Sequence, residues 1–114
     1  LCLDVDKKAV SIARENIQMN DAADRVKAGS RDVTSLEGSF DLIVANLTEK
    51  ILTKLRSTLV GLLRPRGYLI ISGIIIENRA MIEENFLSDP LVLHRSLTEK
   101  EWICYVLKKK EESR

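Results

Sequence analysis

Two apolar runs, residues 40–45 and residues 68–76, constrain the fold more than any other feature of this 114-residue sequence. Each run has the length of a strand and, apart from Asp41, carries apolar side chains on both faces, which is typical of a strand in the middle of a sheet. Segments with a helical spacing of apolar residues precede and follow them. Buried strands that alternate with helices predict an α/β fold with a mostly parallel sheet and right-handed crossovers.

The other segments extend this pattern to the order strand, helix, strand, strand, helix, strand, helix, strand, strand. Four further strands are predicted at residues 1–5, 25–28, 91–97 and 102–107. Helices are predicted from an N-cap at Asp6 to about residue 20, from Thr48 to a stop at residues 64–67, and over residues 78–87. The last two strands, joined by a turn at residues 98–100, should pair antiparallel, and the charged tail at residues 108–114 should fray. With no linker or repeat, one domain over residues 1–114 is predicted.

Composition excludes several classes of protein. The formal net charge of +1 gives no electrostatic reason to expect a nucleic-acid or membrane-surface partner. No apolar stretch reaches the roughly 18 residues of a membrane span, and we expect no signal peptide, because Asp4 and Asp6 interrupt the first apolar run. Cys2 and Cys104 are expected to be free, buried thiols, and His94 alone cannot complete a metal site with them. These features predict a reduced, cytoplasmic protein without a bound metal.

Candidate site residues follow the predicted strands, since ligands of doubly wound sheets bind beyond the carboxyl ends of the strands. Asp4 can accept the two hydroxyls of a ribose, or it can be an acid that favours a helix N-terminus. Asp32 can accept from an adenine amino group or be an ordinary loop residue. Asn46 can hold an amine through its amide oxygen, or it can be a turn residue or a cap for the next helix.

Several motifs together resemble the class I S-adenosylmethionine-dependent methyltransferases. Residues 3–6 (LDVD), followed by AREN at 13–16, resemble the second strand and helix of that family, and FDLIVANL at 40–47 resembles the fourth strand. LLRPRGYLIISGI at 62–74 is similar to the fifth strand. The SGI at 72–74 and the EW at 101–102 look like the PrmA type, which methylates amines of a large-subunit ribosomal protein.

The resemblance implies a three-layer, Rossmann-like methyltransferase sheet, with S-adenosylmethionine as cofactor and a protein, such as a ribosomal protein, as substrate. It also implies that Asp4 holds the ribose hydroxyls, Val5 packs on the adenine and Asp32 contacts the adenine amino edge. Asn46 would then orient the acceptor amine, act as the catalytic residue and also belong to the cofactor-binding residues. Two departures stand out: NLT replaces the usual NIL at 46–48, and Arg66 replaces the first glycine of the usual pair.

The family's first strand and glycine-rich loop have no counterpart among the five scattered glycines. We therefore expect the chain alone to be inactive, and two strand edges to be exposed and to form a homodimer. Two alternatives remain open at this point. One is a non-catalytic, methyltransferase-like interaction module, and the other is half of a nicotinamide-dependent Rossmann oxidoreductase.

Overall fold

A computed structural model describes residues 1–111 of the chain. These residues form two compact units, a first unit of Leu1–Leu36 and a second unit that begins at Glu37. None of the helices described is long and apolar enough to cross a membrane. The expectation of a single domain stays a prediction.

The first unit contains two short parallel strands, a helix and a 3-10 turn. Its elements are β1 (Cys2–Leu3), α1 (Lys7–Met19), β2 (Ala28–Gly29) and a 3-10 helix at Val33–Ser35. The predicted N-cap is confirmed, since the Asp6 side chain accepts a hydrogen bond of 2.9 Å from the backbone N–H of Lys8. The strand predicted at residues 25–28 begins only at Ala28. The N–H groups of Arg25 and Val26 instead donate to the carbonyl of Ala22 in a turn.

The second unit is a four-stranded sheet with two helices. Its elements are β3 (Phe40–Asn46), α2 (Glu49–Leu62), β4 (Leu63–Ile75), α3 (Arg79–Phe86), β5 (Leu91–Glu99) and β6 (Trp102–Lys109), with a short 3-10 helix at Ile76–Asn78. The strand order is β3-β4-β6-β5, with β3 and β4 parallel and the other neighbours antiparallel. The predicted element order and the antiparallel final pair are confirmed.

One face of this sheet forms the core. Its buried side chains alternate along β4 and β6 with exposed or half-buried ones, and α2 packs on β4 and β3. The fully buried residues include Leu69, Ile71 and Ile74 on β4, Tyr105 and Leu107 on β6, Leu52 on α2, and Ile82 and Phe86 on α3. Full burial of one large apolar side chain contributes about 1.5–3 kcal/mol, so this face holds the second unit together.

The structure corrects three details of the sequence interpretation. Within residues 1–111, β3 is an edge strand and not the central strand that its two apolar faces indicate: it pairs only with β4, so one of its edges is unpaired, as expected above, and Leu42 and Val44 are 55% and 64% exposed. Both cysteines are free, but neither is buried, since Cys2 is exposed and Cys104 half-buried. The turn between the last strands lies at residues 100–101, and β6 continues to Lys109, so the tail expected to fray starts later. Residues 112–114 of that tail lie outside the described residues.

Candidate functional site

A β-bulge lies near the carboxyl end of β4. Ile71 pairs with Tyr105 and Ile74 with Ile103, so β4 advances three residues while β6 advances two. The extra residue falls at Ser72–Gly73, where Gly73 has a φ of +84°. A glycine with positive φ is the usual residue at such a bulge, which bends the strand and redirects its side chains. The bulge also lets Ile71 and Ile74 both face the core.

Asn46 is the last residue of β3 and lies beside this bulge. It pairs with Ser72 on β4, and the next backbone N–H, that of Leu47, donates to the carbonyl of Ser72 over 3.2 Å. The Asn46 side chain is exposed and hydrogen-bonds to no other group within residues 1–111. Thr48, and not Asn46, is the N-cap residue of α2, so the helix-cap alternative for Asn46 is wrong. The carboxamide is therefore available to a ligand.

A cleft of about 650 Å³ opens at this end of the sheet. The carboxyl ends of β3 and β4 form one wall, and the β5–β6 hairpin forms the other. The cleft is lined by Asn46, Ser72, Gly73, Leu97, Thr98, Glu99, Trp102, Ile103 and Cys104. The carbonyl of Glu101 at the hairpin tip accepts a hydrogen bond of 2.8 Å from the N–H of Ile76, just after β4. This bond connects the tip of the β5–β6 hairpin to the carboxyl end of β4.

The chemistry of the cleft suits an amine on an alkyl chain. The Asn46 amide offers an oxygen acceptor, the Glu99 carboxylate attracts a cation, and Trp102, 47% exposed, offers an apolar face. The sequence interpretation missed the hairpin residues, since their position depends on long-range pairing. A signal existed for Gly73, because an isolated glycine inside a strand often marks a bulge or a close backbone approach.

Asp4 and Asp32, the predicted cofactor carboxylates, both lie in the first unit. Asp4 directly follows β1, and its Oδ1 accepts a hydrogen bond of 2.9 Å from the N–H of Asp6. Asp32 follows β2 and caps the 3-10 helix, where its Oδ1 accepts from the N–H and the hydroxyl of Thr34 at 2.9 and 2.8 Å. The bond from the Thr34 N–H, and secondly that from its hydroxyl, lower the pKa of Asp32 below its usual value.

These carboxylates share one end of the two-stranded sheet, because β1 and β2 run parallel and both residues follow the carboxyl ends. Val5, between Asp4 and Asp6 in the loop after β1, is 85% exposed. Asn46 belongs to the second unit. Within residues 1–111, no group of three His, Cys, Asp or Glu side chains is placed to hold a metal ion.

Comparison with known proteins identifies a consistent group of relatives. The family described as ribosomal protein L11 methyltransferase (PrmA) matches residues 1–110. Similar curated proteins include ribosomal protein L11 methyltransferases from Pelobacter propionicus, 31% identical, and from Geobacter sp. (strain M21), 35% identical. Each match covers 96% of this chain but 35% of the relative, so the chain spans about a third of their length.

Solved structures of methyltransferases have the same fold. The crystal structure of a ribosomal protein L11 methylase from Lactobacillus delbrueckii subsp. bulgaricus matches with a TM-score of 0.87 and 25% identity, covering 96% of this chain and 57% of that one. An RNA methyltransferase from Salinibacter ruber, solved with S-adenosyl-L-homocysteine, matches with a TM-score of 0.73 and 18% identity. That match covers 98% of this chain and 66% of the other, and at this identity it supports the fold alone.

Proposed function

The chain belongs to the ribosomal protein L11 methyltransferase family, and on that premise we propose that its protein transfers a methyl group from S-adenosylmethionine to an amino group of a ribosomal protein. The observation that carries the proposal is the exposed Asn46 carboxamide at the end of β3, facing a cleft of about 650 Å³. This is the end of a parallel strand pair where such sheets bind ligands. The alternative that the chain is half of a nicotinamide-dependent oxidoreductase gives no role to this amide.

The free carboxylate oxygens of the first unit fit the proposed cofactor. Within residues 1–111, the second oxygen of Asp4 and that of Asp32 accept no hydrogen bond. Each can therefore accept from a ligand, Asp4 from the ribose hydroxyls and Asp32 from the adenine amino group, while the exposed side chain of Val5 can pack on the adenine. When bound, S-adenosylmethionine would supply an activated methyl group for in-line displacement by a neutral amine.

Asn46 has a positioning and orienting role toward the acceptor in this proposal. Its Oδ1 accepts an amine N–H, which fixes the nitrogen lone pair in a productive direction, and an amide does not act as a base at neutral pH. The neutral amide also leaves the acceptor pKa lower than a carboxylate at the same position would, which favours the unprotonated amine.

The test is the Asn46→Ala variant of the full-length protein carrying this sequence, with Asn16→Ala on the exposed face of α1 as the matched control. Loss of the orienting amide should reduce kcat roughly 100-fold, while the Kd for S-adenosylmethionine changes less than about threefold. Methyl transfer is followed with labelled cofactor and cofactor binding by calorimetry. Unchanged kcat in Asn46→Ala would rule out this role, and a matching loss in Asn16→Ala would show that the effect is unspecific.

The cofactor assignment is tested with two carboxylates that are two residues apart. Asp4→Asn should raise the Kd for S-adenosylmethionine about 10-fold or more, because a hydrogen bond from a hydroxyl to a charged acceptor is lost. Asp6→Asn removes the same charge but keeps the N-cap of α1, since Asn caps helices as well as Asp does. Equal Kd values for the two variants would contradict the role of Asp4.

A second copy of the chain is the partner that we propose for the free edge of β3. The edge presents backbone groups that are unpaired within residues 1–111, beside the exposed side chains of Leu42 and Val44. An edge of this kind tends to pair with another strand unless charge or a covering segment protects it. Sedimentation should show a dimer of the chain. The Leu42→Lys variant should weaken this dimer, because it adds a charge beside the free edge of β3. A monodisperse monomer at high concentration would contradict the proposal.

A further inference from the structure

We infer that Gly73 is a positioning residue, whose missing side chain leaves the space that the Asn46 carboxamide occupies at the mouth of the cleft. The catalytic consequence rests on the proposed function, whereas the packing relation between the two residues does not. Gly73 lies in the β4 bulge and lines the same cleft as Asn46.

The first step is the space around Gly73. A Cβ added to Gly73 would lie 2.5 Å from Oδ1 of Asn46, closer than non-bonded atoms approach. It would also lie 3.1 Å from the carbonyl oxygen of Leu47, a contact that a small shift relieves. The Asn46 amide ends an exposed side chain, so it would rotate away before the paired backbone moved. A methyl group at position 73 therefore displaces the amide from its present direction.

The second step is the backbone that brings Gly73 to this place. The residue pairs between β3 and β4 keep a regular register from Leu42 to Asn46, and the last pair is Asn46 with Ser72. At this end of β4, the pairing with β6 shifts, between Ile71 and Ile74, and the pairing with β3 does not. The bulge thus leaves the support of Asn46 intact and bends β4 immediately beyond it. The φ of +84° at Gly73 completes this bend.

The other glycines show that this relation is specific. Gly38 has a φ of +103° but no atom within 4 Å of its missing Cβ, and Gly61 on α2 also has open space there. The missing Cβ of Gly67 would meet backbone oxygens. Of the five glycines, Gly73 alone faces the polar end of a candidate site residue.

A double-mutant cycle tests the packing relation without any assay of methyl transfer. Gly73→Ala is made in the wild-type protein and in Asn46→Ala, and unfolding by denaturant is followed through the fluorescence of Trp102. Both backgrounds share the cost of alanine at positive φ, but only the wild type contains the amide. We expect Gly73→Ala to raise the unfolding equilibrium constant about two- to threefold more in the wild type than in Asn46→Ala, because turning an exposed amide costs little.

The matched control is Gly38→Ala, which imposes positive φ on alanine without a clash and should have the same effect in both backgrounds. Folding of the double variant when Gly73→Ala alone fails to fold also supports the inference. An equal factor in both backgrounds overturns it. Failure to fold in both backgrounds overturns it too, because the backbone and not the amide would then require glycine.

Kinetics separate this inference from the proposed function. If Gly73 positions Asn46, Gly73→Ala in the full-length protein should lower kcat about 10- to 100-fold, with the Kd for S-adenosylmethionine changed less than about threefold. Gly38→Ala should leave both values unchanged. If Asn46→Ala lowers kcat but Gly73→Ala does not, the positioning role fails. If Asn46→Ala has no effect on kcat, the proposed function fails, while the stability cycle still decides the packing relation.

Discussion

The two ends of β4 use a similar irregularity for different purposes. At the amino end, the ladder to β3 shifts between Phe40 and Leu42, and Arg66 has a φ of +71°. At the carboxyl end, the ladder to β6 shifts and Gly73 has a φ of +84°. Each end thus combines a shift in the pairing with one residue in the left-handed region. Each also has a glycine whose missing side chain leaves room for a neighbour.

The neighbours are what differ. A Cβ at Gly67 would lie 2.8 Å from the carbonyl oxygen of Arg64 and 2.9 Å from that of Asp41. Those oxygens belong to backbone, whereas Gly73 faces a rotatable side chain. A substitution at the amino end must therefore move two chain segments, whereas one at the carboxyl end mainly turns an amide, with a small shift at the Leu47 carbonyl and the strain of positive φ. We conclude that the amino end of β4 contributes mainly to stability and the carboxyl end mainly to the site.

The largest effect on stability is expected for Gly67→Ala. The added methyl group forces apart Arg64 and Asp41, and overpacking against backbone should lower the free energy of unfolding by about 2–3 kcal/mol. Denaturant unfolding followed by Trp102 fluorescence measures this. The loss should be equal in an Asn46→Ala background, in contrast to Gly73→Ala. A loss that depends on Asn46 would remove the distinction between the two ends.

A smaller loss is expected for Lys109→Met, at the same end of the sheet. The Lys109 ammonium donates to the carbonyls of Val60 and Leu63, both at 2.8 Å, and so satisfies the carboxyl end of α2 just before β4. Its removal should cost about 1–2 kcal/mol in the free energy of unfolding. Lys108→Met is the control, since the Lys108 ammonium lies 5.4 Å from the ring centre of Tyr68 instead. Equal losses would show that the helix terminus does not need Lys109.

The smallest effect, a gain, is expected for Arg66→Gly. A non-glycine residue at a φ of +71° is strained, and glycine relieves this, which should raise the free energy of unfolding by about 0.5–1 kcal/mol. The exposed ion pair of Arg66 with Glu111, 3.5 Å long, offsets little of the gain. Arg66→Ala keeps the strain and should show no gain in the same thermal or denaturant unfolding. A gain from alanine equal to that from glycine would refute the role of φ.

Local signals in the sequence predicted most of the second unit. The run at residues 68–76 correctly indicated a strand flanked on both sides, and the proline and glycine at residues 65 and 67 correctly marked the end of α2. Such features depend on neighbours in the chain. Arg66 departs from the glycine expected from the resemblance, and its φ of +71° is one that glycine adopts more readily.

Non-local features were not predictable in the same way. The exposure of β3 depends on which strand pairs with it, and the Trp102 wall of the cleft depends on the register of the hairpin. The roles of Asp4, Val5, Asp32 and Asn46 stay predictions, although the structure describes the surroundings of each. The relation between Asn46 and Gly73 arises from a bulge that shifts one ladder and spares the other, and no sequence period encodes that.

The hydrogen bond from the N–H of Ile76 to the carbonyl of Glu101 has a consequence for which residues of the cleft can change in sequence. Because the bond joins backbone to backbone, the spacing of the walls does not depend on which side chains line them. Substitutions at Thr98, Glu99 or Trp102 can therefore change the size and charge of the group that the cleft accommodates, while the distance between its two walls stays the same. The residues that line the cleft can therefore vary one at a time without a change in the sheet.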